Sequence, residues 1–421
     1  MTSPGTPGPA GREHVPGSVS WAGALLAVGV AAGVGGVLLV LVLHGVQHFA
    51  HGFDEGRSGD GVDRATGPRR VLAMALGGLL VGTGWWALRR WGTPLVDVED
   101  AAHEGGPRLP VRVTALDAVL QVVAVGAGAP LGREGAPRQV GAAVAGWLGE
   151  RFGLDARRRA VLVAAGAGAG LAAVYDVPLA GALFTLEVLL RSFAADAVVA
   201  ALATAGTATV VAWPVTGREP TYLVAPFGAP SLSLVVGALV LGPVAGLLGW
   251  AFRRASARAR GHRPRGWRLP VLTTLVFTAI GLPATAVPEV LGNGRAPAEL
   301  ALLGQAGLGT AALLLVVRPV ASVASLRAGA RGGLLTPGLA LGALLGALAA
   351  AAWGHVWGGA PPAAFAAVGA AAVLAVVQRA PLTAVVLLVE FTGSAVPLVV
   401  PVVAALLGAL AVAAVLDARA R

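Results

Sequence analysis

The stretch GREGAPRQVGAAVAG, residues 132–146, and the stretch GGLLTPGLALGALLG, residues 332–346, decide the fold of this chain. Each is a glycine-rich turn that ends in a proline and continues into a helix pattern rich in small residues. The two stretches start two hundred residues apart and present these features in the same order. Such internal similarity indicates a chain built from two related halves.

A second pair of stretches supports the same division. LAAVYDVPL at 171–179 leads to Glu187, and LAVVQRAPL at 374–382 leads to Glu390, each glutamate nine residues after its proline. Low-complexity Ala/Gly/Leu composition is the alternative explanation. We predict five segments, which are a disordered tail at 1–17, a first membrane repeat at 18–215, a linker at 216–227, a second membrane repeat at 228–416 and a short tail at 417–421.

The composition predicts a membrane protein. Of the 421 residues, 56% are hydrophobic and 12% are charged, which is too little charge for the surface of a soluble chain. No charged residue lies between Glu13 and Asp54, a length that can cross a bilayer as one helix. Several later apolar runs are short or interrupted by Gly and Pro, which is typical of broken helices that line an interior site. With no cysteine, disulfides and thiolate metal sites are excluded.

The net charge of +10 comes from a chain whose basic residues are all arginines. Seven of them lie in the segment 253–268, and by the positive-inside rule this loop and the C-terminus should face the cytoplasm. We therefore predict a multi-pass protein of the cell inner membrane, with the lipid bilayer as its surroundings. A nucleic-acid partner is not expected, because a basic loop between membrane spans is usually a topology signal. The apolar run after the N-terminal tail is too long for a signal peptide.

The glycine-rich turns are suited to bind an anion. Glycine permits close backbone approach and proline fixes a φ angle that suits the first helical turn. A helix start buried in a membrane has about four free N–H groups and the positive end of the helix dipole, so an anion is the natural partner. A third turn, GTPLV at 92–96, fits the pattern, and its Thr93 could add a hydroxyl donor, as could Thr336, although either hydroxyl could instead cap its own helix. The residues predicted to bind the anion are Thr93, Gly132, Arg133, Gly135, Ala136, Gly333, Leu334, Leu335 and Thr336.

Glu134 is the predicted gate. A carboxylate at a helix N-terminus can occupy the anion site as a tethered competitor. Protonation would neutralise it and release it, which would couple anion access to proton delivery. The alternative is a surface-loop glutamate paired with Arg133 or Arg138.

These motifs resemble the CLC family of chloride channels and anion/proton antiporters, over nearly the whole chain from about residue 20 onward. GREG at 132–135 is similar to the G-K/R-E-G-P motif, with Ala136 inserted before the proline, and GLLTP at 333–337 is similar to G-x-F-x-P. Residues 164–187 and 379–393 resemble two further family segments. The resemblance implies an all-α polytopic membrane protein with a CLC-like fold of two inverted-topology repeats with broken and re-entrant helices. It also implies that Glu134 is the external gating glutamate and proton carrier of a homodimer with one pore per subunit, with no cofactor and no metal ion.

The departures from the family pattern favour its bacterial fluoride/proton branch. Thr93 stands at the serine of the G-S-G-I-P motif, Val188 at the inner proton glutamate of chloride/proton antiporters, and Thr336 precedes the proline of the later motif. We therefore predict fluoride/proton antiport that exports fluoride. The alternative is a CLC-type chloride channel or chloride/proton exchanger, because channels also carry Val there and Thr can serve chloride.

The resemblance also predicts two absences. The family normally continues into a helix that carries a pore tyrosine, whereas the tyrosines here are Tyr175 and Tyr222, so this ligand is expected to be missing or replaced. Regulatory CBS domains are not expected.

Three further patterns bear on the function. His44, His48 and His51 share a helical spacing that could bind metal, but a polar patch at the membrane interface is the favoured interpretation. Asp176 and Arg379 hold equivalent places in the two halves and could pair across the repeat axis. A membrane enzyme would need a nucleophile or metal motif that the histidines do not form, and a cation-coupled transporter would need midplane carboxylates.

Overall fold

The computed structural model describes residues 18–52 and 65–420, so the predicted tail at 1–17 lies outside the described residues. Apart from one isolated β-bridge, the regular structure of the described residues is helical. The α-helices of the described chain are α1 Ser18–His51, α2 Gly67–Trp91, α3 Val98–Ala101, α4 Val111–Gly126, α5 Gly135–Arg151, α6 Ala156–Tyr175, α7 Pro178–Phe184, α8 Ala195–Thr216, α9 Leu232–Gly261, α10 Arg268–Gly281, α11 Arg295–Leu302, α12 Leu308–Arg327, α13 Leu335–Gly354, α14 Pro362–Gln378, α15 Pro381–Thr392 and α16 Val399–Arg419.

The helices confirm the predicted multi-span membrane fold. Within the described residues, eight helices are long and apolar enough to cross a membrane, and three shorter apolar helices accompany them. Helices dominate because a bilayer offers no water to backbone N–H and C=O groups, which must bond within their own segment. The three shorter helices, at Pro178–Leu190, Pro362–Gln378 and Pro381–Thr392, match the short apolar runs of the sequence. The first of them consists of α7 and a π-helical turn at Thr185–Leu190.

The two halves pack through equivalent pairs of glycines. A side chain at Gly141 of α5 would overlap the carbonyl oxygen of Gly166 of α6, and one at Gly342 of α13 would overlap that of Gly369 of α14. Small residues let helix backbones approach closely in membranes, where there is little hydrophobic force between helices. Each half contains eight helices, and α1–α8 correspond in order to α9–α16 within the described residues. The repeat boundaries stay a prediction.

The predicted pairing of Asp176 with Arg379 is wrong. Both residues follow a long helix in the left-handed conformation, with φ angles of 54° and 56°. Asp176 accepts a hydrogen bond from Trp213 at 2.8 Å, whereas Arg379 lies 3.3 Å from Asp417. The inverted repeats explain this separation, because corresponding helices end on opposite faces of the membrane. Asp417 belongs to α16, which ends at Arg419. The helix therefore includes most of the predicted C-terminal tail at 417–421.

Candidate anion site

Gly132 and Gly333 join the two glycine-rich turns through an antiparallel β-bridge. The N–H of Gly132 donates to the carbonyl of Gly333 at 2.9 Å, and the N–H of Gly333 donates to the carbonyl of Gly132 at 2.8 Å. A Cβ at either position would overlap the carboxylate of Glu134. Glycine is therefore required at both positions for the carboxylate to lie against the bridge.

The carboxylate of Glu134 occupies the start of α13. Its side chain is buried, with 1% exposure, so the surface-loop alternative is wrong. Oε1 accepts the backbone N–H of Leu335 at 2.5 Å, and Oε2 lies 3.4 Å from the hydroxyl of Thr336 and 3.5 Å from that of Tyr175. These donors, together with the helix dipole of α13, form a site for a negative group.

The other residues of the two turns surround this carboxylate. Gly135 and Ala136 are buried in the first turn of α5, and Leu334 is the N-cap of α13. Arg133 is buried and its guanidinium carbon lies 5.0 Å from the centre of the Tyr175 ring. The structure brings these predicted residues together, and their binding of an anion stays a prediction.

Thr93 is not brought to the site. It lies in an exposed segment between α2 and α3, where the backbone at Gly92 is extended. The proline at position 94 starts no helix, and the next helix begins only at Val98. The third turn therefore lacks the buried helix start that would aim its hydroxyl at an anion.

Val188 lies in the π-helical turn that follows α7 and is partly buried against the main core. An isopropyl group cannot carry a proton at this position.

Two cavities reach the turn that holds Glu134. The first, which we call the basic cavity, has a volume of about 420 Å³ and is lined by Gly135 and Gly332 together with four arginines. The second, which we call the opposite cavity, has a volume of about 750 Å³ and is lined by Arg133 and Tyr175. The two chain neighbours of Glu134 thus line different cavities, Gly135 the basic cavity and Arg133 the opposite cavity.

The basic cavity is strongly cationic. Its arginines are Arg138, Arg260, Arg263 and Arg331, and its carboxylates are Asp97 and Glu99. Burial, followed by the positive charges of Arg331, Arg89 and Arg260, lowers the pKa of Arg263 to about 10. This group is still protonated at neutral pH, so the cavity favours anions.

A buried polar cluster that the sequence analysis missed supports the basic cavity. Asp117 is fully buried and lies 3.0 Å from Nε of Arg331, and it accepts hydrogen bonds of 2.9 Å from Trp85 and from Gln121. Gln121 also donates to Gln139 at 2.8 Å. Asp117 and Gln121 lie one helical turn apart in an apolar run, and a carboxylate within such a run is a signal that could have identified them.

Tyr175 was noted in the sequence but not predicted at the site. Its ring stacks edge to face on Phe391, with ring centres 5.5 Å apart, and Phe391 contacts Tyr222 in the same way. The Tyr175 hydroxyl, which lies 3.5 Å from Glu134, belongs to the first half of the chain. Nothing in the pattern LAAVYDVPL indicates that α6 ends beside Glu134.

The histidines of α1 do not form a group that could hold a metal ion in the described part of the chain. Among the described residues, no group of three or more His, Cys, Asp or Glu side chains could hold a metal ion. Nε2 of His51 lies 3.2 Å from the carbonyl oxygen of Ala127.

Comparisons with known proteins agree with this fold. Residues 77–414 match a family model described as voltage gated chloride channel. The H(+)/Cl(−) exchange transporter ClcA of Vibrio cholerae serotype O1 is 29% identical over 409 residues, which cover 94% of this chain and 86% of that protein.

Two solved structures share the architecture. A slow cyanobacterial Cl−/H+ antiporter has a TM-score of 0.82 at 22% identity, over 94% of this chain and 95% of that chain. A CLC-type fluoride/proton antiporter has a TM-score of 0.74 at 21% identity, over 94% of this chain and 96% of that chain. At these identities the likeness shows the fold alone.

Proposed function

The chain belongs to the voltage gated chloride channel family, and from this premise we propose that it exchanges chloride for protons across a cell membrane, with Glu134 as gate and proton carrier. It is a multi-pass membrane protein of a transport family and not an enzyme. One observation carries the proposal, namely that the Glu134 carboxylate lies on the N–H of Leu335 at the start of α13, where an anion would bind. The similarity to the Vibrio exchange transporter supports chloride as the anion.

Protonation of Glu134 is the coupling step. A charged carboxylate is held by the N–H of Leu335 and the dipole of α13, and it keeps other anions out. A neutral carboxyl group loses most of this attraction, so a chloride ion can take its place. Return of the carboxylate after proton release then expels the anion, because two negative charges at one helix start repel each other.

The orientation follows from charge. The arginine-rich segment 253–268 and the end of α16 lie on one face, joined by the pair Arg253–Asp417 at 2.8 Å. The positive-inside rule places this face, and the basic cavity, in the cytoplasm. The homodimer implied by the family resemblance remains part of the proposal.

Fluoride/proton exchange is the second candidate. The observation that favours it is the cluster of small donors at Glu134, which are the Leu335 N–H and the hydroxyls of Thr336 and Tyr175. Fluoride is small and tightly hydrated, so its site must supply several short hydrogen bonds. Val188, in place of an inner proton glutamate, is also consistent with this branch by resemblance.

Anion release from proteoliposomes tests both candidates. Vesicles loaded with chloride or with fluoride would be diluted into anion-free buffer while the external pH is recorded. For the wild type we expect anion release accompanied by proton uptake. Glu134→Ala should still pass the anion, but proton movement should be lost because no carrier remains at the gate.

The relative rates decide between the anions. Chloride release faster than fluoride release supports the first proposal, and the reverse order supports the second. Proton movement that persists in Glu134→Ala would contradict both, because another group would then carry the proton.

A further inference from the structure

The arginine-rich loop does more than mark the cytoplasmic side. Arg260, at the end of α9, and Arg263, in the loop that follows, line the basic cavity, which Gly332 of the second glycine-rich turn also lines. A loop that served topology alone would have no reason to direct its guanidinium groups into the mouth of the pathway. Arg258, in the last turn of α9, and Arg265, in the loop, are not among the residues that line this cavity.

The arginines of the cavity differ in how well they are paired. Arg331 has Asp117 at 3.0 Å and Asp97 at 3.6 Å, and Nε of Arg138 donates to the carbonyl of Glu134 at 3.2 Å. Within the described part of the chain, Arg260 makes one long hydrogen bond, of 3.4 Å, to the carbonyl of Gly332. Nε of Arg263 is buried and has no hydrogen-bond partner among residues 18–52 and 65–420. Two guanidinium groups therefore retain donors that an anion could use.

The chemistry of these donors fits phosphate better than a halide. A guanidinium group presents a planar fork of N–H donors that binds two phosphate oxygens at once. At Glu134, by contrast, the hydrogen bonds to the carboxylate come from the backbone N–H of Leu335 and from the hydroxyl groups of Thr336 and Tyr175. The volume of about 420 Å³ also lies within the ~300–1,000 Å³ that is typical of small-molecule sites.

We propose that the basic cavity binds an anion with several linked phosphates, through Arg260 and Arg263, and that the bound molecule blocks the route between Glu134 and the cytoplasm. The block is inferred because Gly135, the residue after Glu134, lines the cavity. This part of the proposal rests on the proposed transport function. A nucleoside triphosphate and inorganic tripolyphosphate both carry this chemistry. Arg260 and Arg263 would then act as a sensor of soluble phosphate compounds.

Binding is tested first and without transport. The thermal unfolding of the full chain in detergent would be followed with magnesium-free ATP, tripolyphosphate, adenosine, sulfate at equal ionic strength, and short-chain phosphatidic acid. ATP and tripolyphosphate should raise the melting temperature because a ligand that binds the folded state stabilises it. Adenosine and sulfate should not. A larger effect of phosphatidic acid than of tripolyphosphate would assign the site to lipid and overturn the soluble ligand.

The variants decide where the ligand binds. Arg260→Gln and Arg263→Gln should each weaken tripolyphosphate binding by roughly tenfold, the effect of losing one charge-assisted pair. Arg265→Gln is the matched control, because it removes an exposed arginine of the same loop and should bind as the wild type does. Equal binding by all three variants, or no stabilisation of the wild type by any phosphate, would overturn the site.

Transport tests the block. Tripolyphosphate would be added to one side of proteoliposomes at a time, and inhibition would be expressed relative to each variant's own rate. Inhibition should occur from the side that the basic cavity faces, and Arg260→Gln and Arg263→Gln should each need roughly tenfold more tripolyphosphate for the same inhibition. Binding without inhibition would overturn the blocking role. If the wild type carried no anion, the proposed function would fail while the binding result would still decide the site.

Discussion

Glu187 and Glu390 cap each other's helices across the two halves of the protein. The carboxylate of Glu187 accepts the backbone N–H groups of Leu382 and Thr383, at 2.9 and 2.7 Å, at the start of α15. The carboxylate of Glu390, which lies in α15, accepts those of Leu179 and Ala180, at 2.9 and 2.8 Å, at the start of α7. The nine-residue spacing after each proline therefore places each glutamate at the helix start of the other half.

The first prediction concerns these caps. Glu187→Ala or Glu390→Ala leaves two N–H groups of a helix start without a carboxylate partner and should destabilise the fold by about 1–2 kcal/mol each. The measurement is the thermal unfolding of the protein in detergent. Glu104→Ala, at an exposed site, is the control. Melting temperatures equal to that of the control would show that the caps add no stability.

The second prediction concerns the bridge beneath the gate. In Gly333→Ala the added methyl group would overlap the Glu134 carboxylate and displace it from the N–H of Leu335. Losing a charged hydrogen bond should lower proton-coupled exchange by about tenfold. Anion and proton fluxes would be measured together. Gly309→Ala, where a Cβ meets nothing within 4 Å, controls for the glycine change, and coupling equal to the wild type in Gly333→Ala would refute the expectation.

The third prediction concerns the tyrosine at the gate. Tyr175→Phe removes the hydroxyl that lies 3.5 Å from Glu134 but keeps the ring contact with Phe391. The carboxylate should leave the site more readily, and anion release should become about two- to fivefold faster, in line with one weak hydrogen bond. Tyr222→Phe, on the other side of Phe391, should show no such increase in release rate. Similar rates for both variants would mean that the Tyr175 hydroxyl does not hold the gate.

The fourth prediction concerns the buried carboxylate behind the basic cavity. Asp117→Asn removes the negative charge 3.0 Å from Arg331 and should destabilise the fold by about 2 kcal/mol, because the partly buried guanidinium group is left with the more distant Asp97 carboxylate at 3.6 Å. Thermal unfolding measures the loss. The double variant Asp117→Asn with Arg331→Gln should recover part of it, since no charge is then unpaired. A double variant less stable than either single one would argue against the pair as the cause.

Part of the candidate site could be predicted because it is local in the chain. Gly132, Glu134, Gly333 and Thr336 belong to turns whose glycine, proline and hydroxyl pattern is recognisable within six residues. Their meeting could be predicted as well, because inverted repeats bring equivalent helix starts to one point. Thr93 shows the limit, since an equally suggestive turn stays extended and exposed.

The amino-acid sequence by itself determined the membrane fold and the two glycine-rich turns that meet at Glu134, because hydropathy and turn chemistry act over short stretches of chain. Only the tertiary structure decided which side chains complete the site. Tyr175 reaches Glu134 from 41 residues away, and Asp117 meets Arg331 across the two halves. Such contacts depend on how helices are placed around each other, and many residues of similar polarity would give the same local pattern. The direction of Arg260 and Arg263 into the cavity was decided in the same way.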